Sequence, residues 1–277
     1  MSELERPEDG GGLALFARLA RERALIWALI RRDIGARFAG SRLGFFWSLA
    51  NPAIQLVSYS VIFGLIYGAG AATPRPGDPG LVPALFCGLW PWWAFSDGTM
   101  RGYGSLVDQS ALLKRFAMPA EACIVAATTA AFLLQMVGFL LFLGAFALLG
   151  VLTPSAGWLL LPLVIVVELV LVNVLALVLA PLYLVVRDTG YVVSAALTVG
   201  FFASPVLFTL DALPGWLQTV AKLNPMAAVI GFYRLAVLGE GWPPTTAVVA
   251  LVLAIGGLAL AGVVLLERLG DVLDEYW

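Results

Sequence analysis

Long runs of residues without a charged side chain constrain this sequence more than any other feature. A helix that crosses the roughly 30 Å of bilayer hydrocarbon needs about 20 mostly apolar residues. The uncharged runs comprise residues 43–74, 79–96, 122–167, 169–186, 189–210 and 241–266. The third run is long enough for two spans and contains its own turn, the sequence TPSAG at 153–157. Only Glu168 separates the second part of this run from the fourth run, so these two form a single span. We therefore expect an all-α integral membrane protein with six transmembrane helices.

The overall composition excludes several classes of protein. Of the 277 residues, 61% are hydrophobic and 12% are charged, and the mean hydropathy is +0.95, whereas soluble domains contain about 25% charged residues. The net charge of −2 provides no basic surface for a nucleic acid. The chain has no histidine, and its two cysteines, Cys87 and Cys123, are far apart in sequence. We therefore expect no catalytic residue, no metal site and no nucleic-acid partner.

The distribution of lysine and arginine predicts how the chain is oriented in the membrane. Basic residues that precede the first span or follow the second, fourth and sixth are Arg6, Arg18, Arg21, Arg23, Arg31, Arg32, Arg37, Arg42, Lys114, Arg115, Arg187 and Arg268. The other side has Arg75, Lys222 and Arg234. The larger group predicts a multi-pass protein of the cytoplasmic membrane with both termini in the cytoplasm.

The acidic first residues and the late start of apolar spanning argue against a cleavable signal peptide.

Two parts of the chain differ from the spanning helices. Apolar residues recur at helical spacing over 13–38, with arginines on the opposite faces. This pattern predicts an amphipathic interface helix, and a solvated segment that only obeys the charge rule is the alternative. The apolar stretches within 211–240 are too short to span and are interrupted by prolines, which indicates outer re-entrant helices. The predicted organisation is a cytoplasmic segment 1–42, a membrane domain 43–268 and a cytoplasmic tail 269–277.

Charged residues at membrane depth are candidates for function, but each has a structural alternative. Asp97 and Arg101 share a helix face and can pair with each other where two helices meet. Glu168 separates the third and fourth uncharged runs and lies inside the fourth predicted span, or close to one membrane face. Neither lysine of the chain follows a glycine, as the lysine of a Walker A loop does. Any ATP-driven function therefore needs a separate ATPase subunit that binds ATP and magnesium, and we expect no cofactor in this chain.

Aromatic and basic clusters mark two further candidate sites. Tryptophan and tyrosine near span ends usually form interfacial belts, but their rings can also line a conduit and stack on sugars. The loop 108–120 contains capping residues, the basic pair Lys114 and Arg115, and Pro119. These features predict a short helix that either docks into a partner or simply connects two spans.

A series of short motifs runs along most of residues 27–240. The motifs are Arg31-Arg32-Asp33, the sequence RFAGSRLG at 37–44, Trp47, Asn51-Pro52, Gly88, Trp90-Pro91-Trp92, Leu112-Leu113-Lys114-Arg115, Met118-Pro119, Arg187-Asp188, Ser204-Pro205-Val206, Asn224-Pro225-Met226 and Tyr233-Arg234. Each motif is weak alone. Together, in this order, they resemble the ABC transporter permeases that export polysaccharides and polyol phosphates. Ala39 departs from the pattern, because a polar or charged residue is frequent there.

The resemblance implies a homodimer in membrane lipid that binds two ABC ATPase subunits and exports a lipid-linked polysaccharide. It assigns ATPase coupling to the loop helix, at Leu112, Leu113, Lys114, Arg115 and Phe116. It also places an interface helix and a gate helix before the first span. Positive charge for a phosphate headgroup is available there at Arg31, Arg32, Arg37 and Arg42. First and fifth spans line the conduit in this family, and the candidate conduit residues are Trp47, Tyr59, Trp90, Trp92, Trp93, Phe201 and Phe202.

The cargo and the class of protein have alternatives. Within the family, the cargo is O antigen, capsule or teichoic acid. A composition rich in Ala, Leu, Gly and Arg with almost no lysine is typical of a GC-rich genome, and it favours O-antigen export across a Gram-negative inner membrane. A related permease for drugs or small lipids is a further possibility. A membrane-embedded lipid-linked sugar transferase is the alternative from another class, disfavoured because histidine and a clustered acidic motif on a cytoplasmic loop are absent.

Overall fold

The computed structural model describes residues 12–40, 43–67, 80–116 and 118–268, which are helical with no β-strand in these ranges. The α-helices are α1 Gly12–Arg21, α2 Arg23–Phe38, α3 Gly44–Tyr67, α4 Leu81–Asp108, α5 Ser110–Phe116, α6 Ala120–Leu148, α7 Leu161–Val185, α8 Thr189–Ala203, α9 Gly215–Lys222, α10 Pro225–Leu238 and α11 Thr245–Arg268. Short 3₁₀ turns at Ala156–Leu160 and Leu210–Ala212 precede α7 and α9. The prediction of an all-α membrane protein is confirmed.

The apolar helices fall into two length classes. Within the described residues, four are long and apolar enough to span a membrane, namely Gly44–Ile66, Ala120–Leu148, Ala156–Val185 and Thr245–Arg268. Helix α4 has 28 residues, but its prolines, glycines and charged side chains lower its hydropathy. Helices α8 and α10 are apolar and have only 15 and 14 residues.

The uncharged run 189–210 does not form one continuous span. Helix α8 ends at Ala203, and Ser204 already has an extended backbone. The cause is Pro205, because a residue that precedes proline is driven out of the helical conformation. The chain then turns, so the fifth predicted span is shorter than the sequence run that predicted it.

The centre of the bundle consists of α4, α6 and α7, which pack against one another. Phe86 of α4 stacks on Phe139 of α6 with 4.9 Å between ring centroids. Helix α11 packs on α7, and α10 packs on α4 and α11. Helix α3 is attached more loosely, since 11% of its apolar window is buried compared with 44% for Ala156–Val185. Its remaining surface is free to face lipid or another chain.

Apolar contacts define one end of the bundle, which we call the α2 end. Leu29 and Ile30 of α2 share a buried cluster with Leu113 of α5 and Leu184 of α7, and Leu266 of α11 packs against it. The N-terminal helices, the loop helix and the ends of α7 and α11 therefore meet at the same end. Their basic residues were grouped on one side of the membrane by the charge rule, and the structure places them together. Helices α9 and α10 lie at the opposite end, which we call the α10 end.

The N-terminal amphipathic segment is two helices instead of one. The break falls at Glu22, between α1 and α2. Helix α2 lies against α6 and buries Leu29 and Ile30. It is therefore packed into the bundle and does not only lie at the bundle's surface. Arg6, Arg42, Arg75 and the predicted tail 269–277 lie outside the described residues.

A glycine allows the turn after α8 to reach α4 at the α10 end. A Cβ atom added at Gly88 would collide with the backbone carbonyl group of Val206. Val206 itself is fully buried. The absence of a side chain at Gly88 therefore determines how closely this turn approaches the centre of the bundle.

Gly88→Ala is expected to lower the free energy of unfolding by about 1–3 kcal/mol, because the colliding atom belongs to a backbone that cannot swing away. Thermal unfolding of the purified protein in detergent measures this loss. Gly144→Ala is the matched control, since nothing lies within 4 Å of the corresponding Cβ position on α6. Equal melting temperatures for the two variants would contradict the assigned role of Gly88.

Candidate functional site

A groove lined by aromatic rings runs between α3, α4 and α8. Its volume is about 460 Å³, and its lining residues are Tyr59 of α3, Trp92, Trp93, Ser96 and Met100 of α4, and Ser194, Leu197, Thr198, Phe201 and Phe202 of α8. The α4 residues recur at helical spacing, and so do those of α8, so each helix presents one face to the groove.

The rings in the groove contact one another. Phe201 lies 6.2 Å from Tyr59, 5.9 Å from Trp92 and 5.1 Å from Phe202, measured between ring centroids. Gly200 makes room for Trp92, because a Cβ there would lie 2.9 Å from the indole ring. Trp92 is almost completely buried, whereas Phe202 is 65% exposed. The groove thus has a fixed aromatic floor and an accessible aromatic rim.

The chemistry of the groove suits an uncharged, hydroxylated ligand. Ser96, Ser194 and Thr198 add hydroxyl groups to the aromatic rings, and none of the lining residues is charged. Sugar rings present apolar C–H faces that stack on aromatic rings and hydroxyl groups that exchange hydrogen bonds with such side chains. The arrangement offers repeated weak contacts without a strong fixed charge.

Five of the seven predicted conduit residues line this groove: Tyr59, Trp92, Trp93, Phe201 and Phe202. Trp90 does not, because it is fully buried and donates a hydrogen bond from Nε1 to the carbonyl oxygen of Gln135 at 2.7 Å. Trp90 joins α4 to α6 and faces the core. Trp47 lies outside the groove and half-exposed on α3, with its ring 5.9 Å from that of Phe46.

Sequence reasoning missed the other side chains in the groove. Ser194 and Thr198 stand one helical turn apart on α8, and Phe201 and Phe202 follow. This spacing of hydroxyl groups beside the aromatic pair was the signal that could have identified them. Ser96 and Met100 have no comparable signal, because the adjacent charged residues dominate their local pattern.

The predicted headgroup arginines differ in their contacts. Arg32 binds the neighbouring Asp33 at 2.8 Å, and Arg37 binds Asp97 at 2.7 Å. The guanidinium group of Arg31 lies over the ring of Trp27 at 5.1 Å from its centroid. Arg42 lies outside the described residues. Two of the arginines are therefore already neutralised by carboxylates of the same chain.

In this structure Asp97 pairs with Arg37 and not with Arg101, the partner that the sequence suggested. Nη2 of Arg37 donates hydrogen bonds to both carboxylate oxygens of Asp97, and Nε2 of Gln135 donates a weaker one at 3.4 Å. Arg37 is the partner because α2 packs on α6 and thereby brings its guanidinium group to the carboxylate on α4. A second cavity, of about 240 Å³, opens beside this contact between α2, α4 and α6. Its charged lining residues are Arg32, Asp33, Arg37, Arg101 and Asp108.

The predicted coupling residues lie in the short helix α5 at the α2 end. Leu113 is buried in the apolar cluster there, and Arg115 is exposed. The side chains of Leu112, Lys114 and Phe116 lie outside the described part of the structure. The burial of Leu113 fixes one side of this helix against the bundle.

Glu168 lies in the core of the bundle, not near a membrane face. Its side chain is fully buried, and Oη of Tyr233 donates a hydrogen bond to Oε2 at 2.7 Å. The other carboxyl oxygen, Oε1, has no partner among the described residues. The bond joins α7 to α10. Because Glu168 is buried away from solvent, its carboxyl group depends on Tyr233 for a hydrogen bond.

Arg234 also turns inward from α10. Its Nη2 atom donates to the carbonyl oxygens of Pro205 and Phe208 at 3.0 and 3.3 Å. These carbonyl groups belong to the turn after α8, where they lack helical partners. Arg234 therefore holds that turn against α10.

Within the described residues, no group of three or more Cys, Asp or Glu side chains is placed to hold a metal ion.

Comparison with known proteins gives a consistent similarity over most of the chain. The sequence profile of the ABC-2 type transporter family matches residues 24–238. The O-antigen export system permease protein RfbA of Myxococcus xanthus is 29% identical over 243 residues, which cover 84% of this chain and 89% of the relative. Two O-antigen export system permease proteins RfbA of Klebsiella pneumoniae are 24% identical each, over 76% and 85% of this chain and 78% and 90% of the relatives.

Tyr233→Phe is expected to lower the free energy of unfolding by about 1–3 kcal/mol, because it leaves both oxygens of the buried Glu168 without a donor. Thermal unfolding in detergent measures the effect. Tyr191→Phe, which removes the hydroxyl group of an 80% exposed tyrosine, is the control and should leave stability unchanged. If both variants melt at the wild-type temperature, the hydrogen bond contributes nothing to the fold.

Proposed function

The chain belongs to the ABC-2 type transporter family, and we propose that it is the membrane-spanning permease subunit of an exporter for a lipid-linked polysaccharide, with O antigen as the cargo. The names of the relatives support the O-antigen assignment. The helical architecture provides the membrane domain that such a subunit needs. The chain itself then carries no catalytic step.

The aromatic groove is the observation that supports a glycan as cargo. A long hydrated glycan cannot enter hydrocarbon, so a path lined by protein must replace its water without holding any segment tightly. Rings such as Phe201 and Phe202 and hydroxyl groups such as Ser194 and Thr198 supply weak contacts of the same kind at many positions. In the proposed homodimer, the groove and the loosely packed α3 of each protomer face the conduit.

The proposed source of energy is a pair of ABC ATPase subunits. The two lysines of the chain do not follow a glycine, so the phosphate-binding loop must belong to a partner. Helix α5 suits the contact with the ATPase, because Leu113 anchors it to the bundle and Arg115 is exposed at the same end. ATP and magnesium are bound by that partner in this proposal.

The proposed orientation places the α2 end in the cytoplasm of an inner membrane. The positive-inside rule supports it, since the basic residues around α1, α2 and α5 lie at this end. A phosphate headgroup of the lipid carrier then meets Arg31 and Arg32 on α2. Arg42 belongs to the same proposal. Arg32 and Arg37 contribute less, because Asp33 and Asp97 already bind them.

The double substitution Lys114→Glu and Arg115→Glu is expected to abolish association with the ATPase, because it reverses the charge of the proposed coupling helix. Co-purification in detergent with the ATPase encoded nearest this chain measures association, and wild type should give a complex of two permeases and two ATPases. Lys222→Glu, in the last turn of α9 at the α10 end, is the control. An unchanged yield of ATPase with the double variant would overturn the assignment of α5.

Phe202→Ala is expected to slow export about two- to tenfold, which corresponds to the loss of one aromatic contact. Surface O antigen in cells that express the permease and its ATPase measures the rate. Val199→Ala is the matched control, because Val199 is 67% exposed on the same helix but does not line the groove. Equal export by the two variants would contradict the assignment of the groove to the conduit.

A further inference from the structure

Asp97 has two cations within reach and uses one of them. Arg37 of α2 donates to both of its oxygens, at 3.0 and 2.7 Å. Arg101 follows Asp97 by four residues on α4, a spacing that places two side chains on the same helix face. Within the described residues, Arg101 makes no hydrogen bond and no ion pair. Arg101 therefore lies one helical turn from the carboxylate of Asp97, which is already paired with Arg37.

The environment of Asp97 makes an unpaired state unfavourable. Its side chain is 23% exposed where α2, α4 and α6 meet, and Gln135 is its only other partner in the described residues. A carboxylate in such a place needs a cation. If α2 moved away with Arg37, Asp97 would lose its partner unless Arg101 replaced it. The cavity of about 240 Å³ that both arginines line provides room for a guanidinium group to move.

A second hydrogen bond ties α2 to the proposed coupling helix. Gln109 lies directly before α5, and its Nε2 atom donates to Oδ2 of Asp33 on α2 at 3.2 Å. Asp33 also binds Arg32. A displacement of α5 is therefore transmitted to α2 by a direct contact. Besides these polar contacts, α2 packs on α6, where Leu29 and Ile30 are buried and Leu25, Ile26 and Ile34 are partly buried against the same cluster.

We propose that Asp97 is the positioning residue of a movable α2, and that it exchanges its ion pair between Arg37 and Arg101. With Arg37 bound, α2 closes the α2 end over the cavity. With Arg101 bound, α2 is released without leaving Asp97 unpaired. The proposal rests on the proposed function in one respect, because motion of an ATPase at α5 supplies the displacement.

The first test requires no ATPase. Arg37→Gln, Arg101→Gln and the double variant are compared by thermal unfolding in detergent. Each single variant leaves Asp97 one cation, so each should melt close to wild type. The double variant leaves none and should lose more than the sum of the single losses. Asp97→Asn, which removes the charge that needs a partner, should rescue the double variant.

Additive losses would overturn the proposal, because it couples Arg37 and Arg101 through the shared carboxylate of Asp97. A double variant that Asp97→Asn does not rescue would overturn it as well. Arg18→Gln combined with Arg37→Gln is the matched control. Arg18 is a basic residue of α1 that lines neither cavity, and its losses should add to those of Arg37→Gln.

The second test distinguishes an exchange from a static ion pair. Ser105 is 2% exposed and lines the cavity beneath α2, so a thiol introduced by Ser105→Cys is accessible only when α2 moves. Maleimide labelling is measured in the complex with the ATPase, with and without ATP, and the parent chain with its buried Cys87 and Cys123 gives the background. ATP should increase labelling severalfold, and Arg101→Gln should abolish the increase while leaving labelling without ATP unchanged.

Reversing the charges at positions 37 and 97 further distinguishes an exchange from a static ion pair. Arg37→Asp with Asp97→Arg restores the closed contact, but Arg101 now repels the new arginine and cannot replace its partner. This double variant should label slowly with and without ATP, and adding Arg101→Asp should restore the increase. A double reversal that responds to ATP like wild type would show a static pair and overturn the exchange. If no ATPase binds the chain, the proposed function fails, and the unfolding experiment still decides the proposal about Asp97.

Discussion

A polar group inside a bilayer finds no water, so its partner must come from the protein. Three side-chain contacts provide such partners here, and each of them joins two parts of the bundle. Arg37 and Asp97 attach α2 to α4, Tyr233 and Glu168 attach α10 to α7, and Arg234 attaches the turn after α8 to α10. The long spans α6, α7 and α11 are held by apolar packing, whereas α2 and α10 combine apolar packing with these bonds.

Helix α4 keeps charged side chains away from the proposed conduit. On α4, Ser96 and Met100 line the aromatic groove, whereas Asp97 binds Arg37 of α2 and Arg101 lines the cavity beside α2. Successive residues of a helix point about 100° apart, so one step in sequence moves a side chain from one compartment to the other. A path that suits neutral sugar and a polar contact that holds α2 can therefore share one helix without interfering.

The sequence predicted most features that depend on local pattern, although it missed the early end of α8 before Pro205, and it failed where distant segments compete. Uncharged runs indicated the spans, and the loop helix and the aromatic pair on α8 followed from spacing and from the family resemblance. The partner of Asp97 was missed because Arg37 precedes it by 60 residues and no local rule weighs that contact against Arg101. Trp90 was grouped with Trp92 and Trp93 because composition does not fix the rotation of α4 against α6. The depth of Glu168 depends on its bond to Tyr233, which lies 65 residues later.

The early end of α8 has a consequence for the membrane around the protein. A helix of 15 residues is about 22 Å long, which is shorter than the roughly 30 Å of hydrocarbon. Lipids beside such a helix must thin or tilt, or the rest of its height must be filled by neighbouring protein. Because α8 lines the groove, any thinning of the bilayer beside this helix would shorten the barrier at the place where the proposed conduit lies.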